Sequence, residues 1–270
     1  MPVQTEWVQF GSHAGYLAWP ERAALPLPAV VVIPEIWGLN AHIEDVARRL
    51  ALAGYAALAP DIFWEGEGRP AVLQSERVLE VQAFMNSLPP AAWADPAMRS
   101  AALAALPETE RLRVEASHGV LFANPGKLDR MTPGLRAAVR YLKTECPASL
   151  GQPVACVGFC MGGGLSALLA CEEPELAGAA IFYGSAPPLE RVPRIACPVV
   201  GFYGALDARI NAGLPAFAQA MEAAGKSFEH HVYPGAAHAF FNDDRASYEV
   251  RAARGSYTRL LEFLERTTGP

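Results

Sequence analysis

The chain lacks several features that would point to other kinds of protein. None of its apolar runs approaches the ~20 consecutive residues that a membrane-spanning helix requires. The opening Met1-Pro2-Val3-Gln4-Thr5-Glu6-Trp7 does not have the charged-then-apolar layout of a secretory leader. Cysteine is sparse and odd in number, five among 270 residues, at positions 146, 156, 160, 171 and 197, with no C-x-x-C pair. That spacing suits neither a disulfide framework nor a zinc site, and a reducing, cytoplasmic setting is expected. Basic residues are outnumbered, 22 against 28 acidic, and form no basic stripe, so a nucleic-acid partner is not expected. Repeats and low-complexity tracts are missing as well. With 51% hydrophobic residues, the chain has enough apolar material for one large α/β domain over residues 1–270.

The apolar residues follow two periods. Thr5 to Phe10 and Gly15 to Trp19 alternate loosely across a short polar turn, the pattern of a β-hairpin. Ala29 to Ile33, Tyr55 to Ala59, Val154 to Phe159, Ala177 to Tyr183 and Pro198 to Tyr203 are continuous apolar runs, as in strands covered on both faces. Phe228 to Tyr233 reads as a further strand. Between the first two buried strands, Ile43, Val46, Ala47 and Leu50 recur at helical spacing and Gly54 ends the run. Strand, helix and strand within about thirty residues make a βαβ unit and hence a mostly parallel sheet flanked by helices. Further helices are predicted over Thr132 to Thr144, with Thr132 as N-cap and Pro133 in the first turn, over Leu214 to Ala224, and over Tyr248 to Arg266. Residues 65–131 form a largely helical insertion or cap. Val72 to Asn86 is periodic, Ala101 to Leu112 suits a short helix, and Val114 to Asn124 shows no legible pattern.

One stretch organises the rest. Val154 to Phe159 leads into Gly158-x-Cys160-x-Gly162, and the Ala/Leu-rich run after it is helical. This is the strand–turn–helix spacing of a nucleophile elbow, with cysteine in place of serine. Glycines flank the nucleophile because side chains there would meet the adjoining strand or helix. The N-terminal N–H groups of the helix face the turn and favour a thiolate or a developing oxyanion. Alone, the motif is equally a glycine-rich turn around a small buried thiol.

Reactive groups in an open parallel sheet gather beyond the carboxyl ends of its strands. Glu35, Cys160, Asp207 and His238 all occupy such positions, and the last three fall in the chain order nucleophile, acid, histidine. A thiolate attacks a carbonyl, a histidine takes and returns the proton, and an acid holds the imidazole in one tautomer. Taken singly, each has a plainer reading. Asp207 suits the cap of a helix near residue 211, His238 a surface loop, and Glu35 a helix start. Asp61 precedes the nucleophile and is expected to fix a loop, and Asp243-Asp244 to form a solvated turn rather than a metal site.

With these residues in place, the chain resembles the dienelactone hydrolase (carboxymethylenebutenolidase) family of α/β-hydrolases. The matching stretches are Val32-Ile33-Pro34-Glu35-Ile36-Trp37-Gly38-Leu39-Asn40, Tyr55 through Asp61, Gly158 through Gly163, Phe182-Tyr183-Gly184, Gly204 to Asp207, and Tyr233 through Asp243. They run from about residue 5 to 265, with the resemblance faint or absent across 65–131. It implies the α/β-hydrolase fold, a triad of Cys160, His238 and Asp207, and a Glu35 that contacts the resting thiol until substrate displaces it. It further implies an oxyanion hole of the Ile36 and Met161 backbone N–H groups, a pocket lined by Trp37 and Tyr183, and no metal or organic cofactor. The implied partner is a small-molecule ester or lactone.

The chain also departs from the family. Where the family places an arginine for the substrate carboxylate, four residues after the histidine, this chain has Asn242. A second such arginine falls within the insertion, and neither Arg69, Arg77 nor Arg136 can be matched to it. Two other readings therefore stay open: a general carboxylesterase or thioesterase with the same triad, and a non-catalytic redox-sensing or binding protein.

Overall fold

The computed structural model describes residues 2–93, 95–122 and 127–269. The chain opens with the antiparallel strands β1 (Val3–Phe10) and β2 (His13–Pro20), then alternates strands and helices: β3 (Ala29–Ile33), α1 (Ala41–Leu52) and β4 (Ala56–Pro60). After the insertion come α5 (Lys127–Thr144), β5 (Val154–Phe159), α6 (Met161–Glu172), β6 (Gly178–Phe182), β7 (Val199–Gly204), α7 (Ala208–Asn211), α8 (Leu214–Ala223), β8 (Phe228–Tyr233) and α9 (Val250–Thr268); the insertion itself supplies α2 (Ser75–Ser87), α3 (Pro96–Ala104) and α4 (Glu108–Leu121). The eight strands form one sheet in the order β1-β2-β4-β3-β5-β6-β7-β8. β2 joins β4 antiparallel, and every pair from β4 to β8 is parallel.

The continuous apolar runs have the expected cause. Every residue of β3 through β7 is buried. Successive side chains point to opposite faces. Ala29, Val31 and Ile33 share one buried cluster with Leu135 and Leu142 of α5 and Leu165 of α6, which pack on β3, and with Phe217 of α8 farther along the same face. Val30 and Val32 share the opposite cluster with Ile43 and Val46 of α1, which packs on β3, and with Leu260 and Phe263 of α9, which covers β5 to β7 on that face. No described helix is long and apolar enough to cross a membrane.

The insertion packs as a cluster of its own. Leu73, Val78, Val81, Phe84, Met85, Val114 and Leu121 enclose Trp37 and Phe63, which come from the loops after β3 and β4. Its helices differ from those predicted. No single helix spans Ala101 to Leu112: α3 ends at Ala104 and α4 starts at Glu108, because Pro107 cannot sit inside a helix without losing a hydrogen bond. The illegible stretch from Val114 is the later part of α4, whose buried stripe is only Val114, Ser117 and Leu121; Asn124 lies outside the described residues.

Thr132 is not an N-cap. α5 already begins at Lys127, and Pro133 lies inside it. Thr132 Oγ1 donates to the Leu128 carbonyl at 3.0 Å, the back-bond of a threonine within a helix. Leu128 and Met131 extend the helix N-terminally by packing on the core. At the other end, α9 starts at Val250 rather than Tyr248, since the Glu249 carboxylate caps the N–H groups of Arg251 and Ala252.

Candidate active site

The elbow sits where β5 becomes α6. Cys160 has φ 55° and ψ −113°, a conformation that side chains avoid unless the surroundings enforce it. Three hydrogen bonds enforce it here. Cys160 N–H donates to the Phe182 carbonyl at 3.0 Å, and its own carbonyl accepts from Gly163 N–H at 3.0 Å and Gly164 N–H at 3.3 Å. The flanking glycines follow from contact. A Cβ on Gly158 would lie 1.8 Å from the Gly162 carbonyl oxygen, and one on Gly162 would lie 2.4 Å from the oxygens of Ile33 and Pro34. The start of α6 is thereby pressed against the loop after β3. Among the described residues, the non-glycine positive φ values are at Cys160, Tyr183 (39°) and Ala239 (61°), each in a loop bordering this site.

Glu35 lies in that β3 loop and is buried, 3% exposed. Its Oε1 accepts from the Tyr183 hydroxyl at 3.2 Å and its Oε2 from Asn242 Nδ2 at 3.0 Å. Both donors are neutral. Burial, together with the nearby Glu35 and Cys160, pushes the Tyr183 phenol well above its ordinary range, so it remains a donor. Among the described residues the side-chain hydrogen bonds of Glu35 run to Tyr183 and Asn242, and none runs to the Cys160 thiol. The Ile36 and Met161 N–H groups have no acceptor among the described residues.

Asp207 follows β7 and is 8% exposed; its Oδ2 meets His238 Nδ1 at 2.5 Å. A carboxylate only accepts, so Nδ1 carries the hydrogen and Nε2 is free to exchange a proton with a thiol. The Oδ1 of Asp207 accepts from the Ile210 N–H at 3.4 Å at the start of α7. The helix cap and the histidine partner are thus the same residue. Burial alone would lower the His238 pKa, but hydrogen bonds to Asp207 and Cys160, together with their charges, outweigh it and raise it to about 10. The Tyr183 ring stands edge-on to the imidazole, 5.2 Å between centroids. Two linked groups result: Cys160, His238 and Asp207 on one side, and Tyr183, Glu35 and Asn242 on the other.

The remaining candidates are placed as follows. Trp37 is buried, and its ring meets those of Trp93 and Phe122 edge-on at 6.1 and 6.0 Å, which joins the loop after β3 to the insertion. Asn242 is 1% exposed and spends its side chain on Glu35 and on the Asp244 N–H. Asp61 fixes a loop as expected, accepting from Phe63 N–H and pairing with Arg69 at 2.6 Å. Arg77 pairs with Glu80 and Arg136 with Glu173. Asp243 lies in an exposed turn as expected, and its carboxylate there also accepts from His42 Nδ1 at 3.0 Å and from Arg49 at 2.6 Å.

The sequence reading missed Arg245. Its guanidinium lies 5.2 Å over the Trp93 ring, has no carboxylate partner among the described residues, and counters the upward shift of Tyr183. No local pattern marks it, because Trp93 lies in the insertion. A cavity of about 340 Å³ also opens at the end of β4, walled by Ile62, Phe63, Leu73, Met131 and Leu135; neither Cys160 nor His238 lines it.

Comparison with known proteins identifies the family. The profile of the dienelactone hydrolase family matches residues 13–268. A protein of Saccharolobus solfataricus, provisionally named carboxymethylenebutenolidase, is 38% identical over 255 residues, covering 94% of this chain and 93% of its own. One of Escherichia coli O157:H7 with the same provisional name is 30% identical over 267 residues, covering 94% and 82%. The crystal structure of a provisionally named dienelactone hydrolase from Klebsiella pneumoniae superposes with a TM-score of 0.65 at 28% identity, over 98% of this chain and 99% of that one. With an eight-stranded, mostly parallel sheet, a cysteine elbow and a family profile matched along nearly its whole length, the chain belongs to the dienelactone hydrolase family of α/β-hydrolases.

Proposed function

We propose that the chain hydrolyses a small-molecule ester or lactone with Cys160 as nucleophile. The observation that carries this reading is the His238–Asp207 pair beside a cysteine held at positive φ at the start of a helix. Cys160 Sγ, its proton resting on His238 Nε2 as a thiolate–imidazolium pair that Asp207 stabilises, bonds to the carbonyl carbon. The carbonyl oxygen, now an oxyanion, takes the unspent N–H groups of Ile36 and Met161. As the oxyanion collapses, the carbon–oxygen bond to the leaving group breaks and His238 returns the proton to that group. Water then gives its proton to His238 and attacks the thioester, and the departing sulfur recovers the proton. No metal or organic cofactor enters this sequence. Glu35, held by the Tyr183 and Asn242 donors, fixes the loop that carries the Ile36 N–H.

Arg245 favours a substrate that carries an acidic group. A partly buried guanidinium with no carboxylate partner among the described residues, lying over an aromatic ring, is a ready anion site. Asn242 does not fill this role, because its amide is committed to Glu35. That commitment is also what favours the second reading, an esterase or thioesterase of neutral substrates.

Steady-state hydrolysis of dienelactone and p-nitrophenyl acetate, with wild type and Cys160→Ala in parallel, tests the reading. Turnover of both that is lost in the variant supports it. Turnover of the simple ester alone, lost in the variant, keeps the mechanism and selects the neutral-substrate reading. Full activity in Cys160→Ala sinks the nucleophile. Absence of turnover with rapid thiol labelling of Cys160 favours a sensor instead.

A further inference from the structure

Residues 242–244 lie between helix α1 and Glu35 and are held from both sides. From α1, His42 Nδ1 donates to Asp243 Oδ1 at 3.0 Å, and Arg49 donates to Asp243 Oδ2 at 2.6 Å. Arg49 is itself held by Asp45, also on α1. From the other side, Asn242 Nδ2 donates to Glu35 Oε2 at 3.0 Å, and Asn242 Oδ1 accepts from the Asp244 N–H at 3.0 Å. The amide therefore cannot turn over without losing both bonds, which fixes which end faces Glu35. We infer that this segment is a strap through which α1 sets the orientation of Glu35, with Asn242, Asp243 and His42 as positioning residues.

His42 gives the strap a rigid anchor. Its side chain is 1% exposed, and the ring stands edge-on to Phe159 and Phe241 at centroid distances of 6.5 and 6.4 Å. Phe159 immediately precedes Cys160, and Phe241 immediately precedes Asn242. The Nε2 of His42 is buried with no hydrogen-bond partner. An imidazole in an apolar slot, satisfied on one nitrogen only, takes its orientation from that single bond to Asp243. Asp243 thus fixes the histidine ring between two phenylalanines, and the same residue fixes the backbone that carries Asn242. A buried carboxylate such as Glu35 has few other partners. Without the Asn242 donor, its Oε2 is left unsatisfied and the carboxylate is held by the Tyr183 hydroxyl alone, free to rotate in the loop packed against the start of α6.

This inference rests on reading Glu35 as part of the machinery around the nucleophile. The test uses Asp243→Ala and the conservative Asp243→Glu in the full chain, each in the wild-type and Glu35→Gln backgrounds. Three quantities are measured: kcat, KM and the iodoacetamide alkylation rate of Cys160, with thermal melting as a check on folding. Displacing a group beside a reacting atom by an ångström can cost up to about a hundredfold. In the wild-type background, Asp243→Ala is expected to lower kcat roughly tenfold with KM within about twofold, and to change the alkylation rate. Asp243→Glu restores most of the loss. In the Glu35→Gln background, Asp243→Ala changes neither kcat nor alkylation further. An equal effect in both backgrounds, or unchanged kcat and alkylation in the wild-type background, overturns the strap. If no ester is turned over at all, the proposed function fails, and the alkylation rates still decide the strap.

Discussion

The sheet core and the insertion are built on different terms. In β3 through β7 every residue is buried, and the strand ends deliver Glu35, Cys160, Tyr183 and Asp207 on backbone that is hydrogen-bonded on both sides. The helices of residues 75–121 bury few residues: α3 none, α4 three, α2 four. They meet the loops after β3 and β4 through a separate apolar cluster around Trp37 and Phe63, with Trp93 and Phe122 edge-on to Trp37 and Arg245 over Trp93. Glu35, Cys160 and Asp207 thus follow strands buried on both faces, while the insertion is held by a smaller cluster of its own. A family can vary the second without disturbing the first.

The largest effect that separates the two regions is expected from adding a single carbon to each. Gly158→Ala places a methyl 1.8 Å from the Gly162 carbonyl oxygen, a backbone atom that cannot move alone. A loss of about 4 kcal/mol or more, read as a large fall in Tm or as insoluble protein, is expected. Gly119→Ala in α4, where a Cβ meets nothing within 4 Å, is expected to raise stability by a few tenths to about 1 kcal/mol, since alanine is the better helix former. Equal losses at both positions would break the distinction.

An intermediate effect is expected where the regions meet. Arg245→Gln should raise KM roughly tenfold for an ester with a free carboxylate on its acyl part, and leave KM for p-nitrophenyl acetate within about twofold. Trp93→Ala should move the anionic substrate in the same direction by less, since it removes the platform and keeps the charge. A uniform rise for both substrates would assign Arg245 to cap packing rather than to charge recognition.

The smallest effect concerns pH. His238 is raised from 6.5 to about 10 in the folded chain. Its contribution to stability is therefore complete below about pH 6.5 and is lost as pH rises through about 10. Between pH 7 and 10.5, Tm of the wild type should fall more steeply than Tm of Asp207→Asn, which lacks the carboxylate that favours the imidazolium. Parallel curves would show that Asp207 does not hold the imidazolium.

Legibility in the sequence follows the same division. The buried strands were readable because burial on both faces demands unbroken apolar runs, and the elbow because Gly158 and Gly162 each face a backbone oxygen. Glu35, Asp207 and His238 were readable as polar residues just past such runs. The α5 boundary was misplaced because Thr132-Pro133 carries the local signature of a helix start, while Leu128 and Met131 extend the helix by tertiary packing. The α3–α4 division was missed because two weakly amphipathic helices separated by three residues leave no strong period.

The sequence by itself determined the order of strands and helices, the cysteine elbow and the chain order of nucleophile, acid and histidine. These are local matters of periodicity, glycine sterics and strand-end position. Only the tertiary structure decided that Asn242 holds Glu35 and that Asp243 ties back to His42 and Arg49. It also decided that Arg245 lies over Trp93 while Arg69, Arg77 and Arg136 are spent on nearby carboxylates. Each of the first three pairings joins residues more than 140 positions apart. No period or spacing encodes such a partner; it is fixed when the helices settle on the sheet and the buried polar groups find the donors within reach.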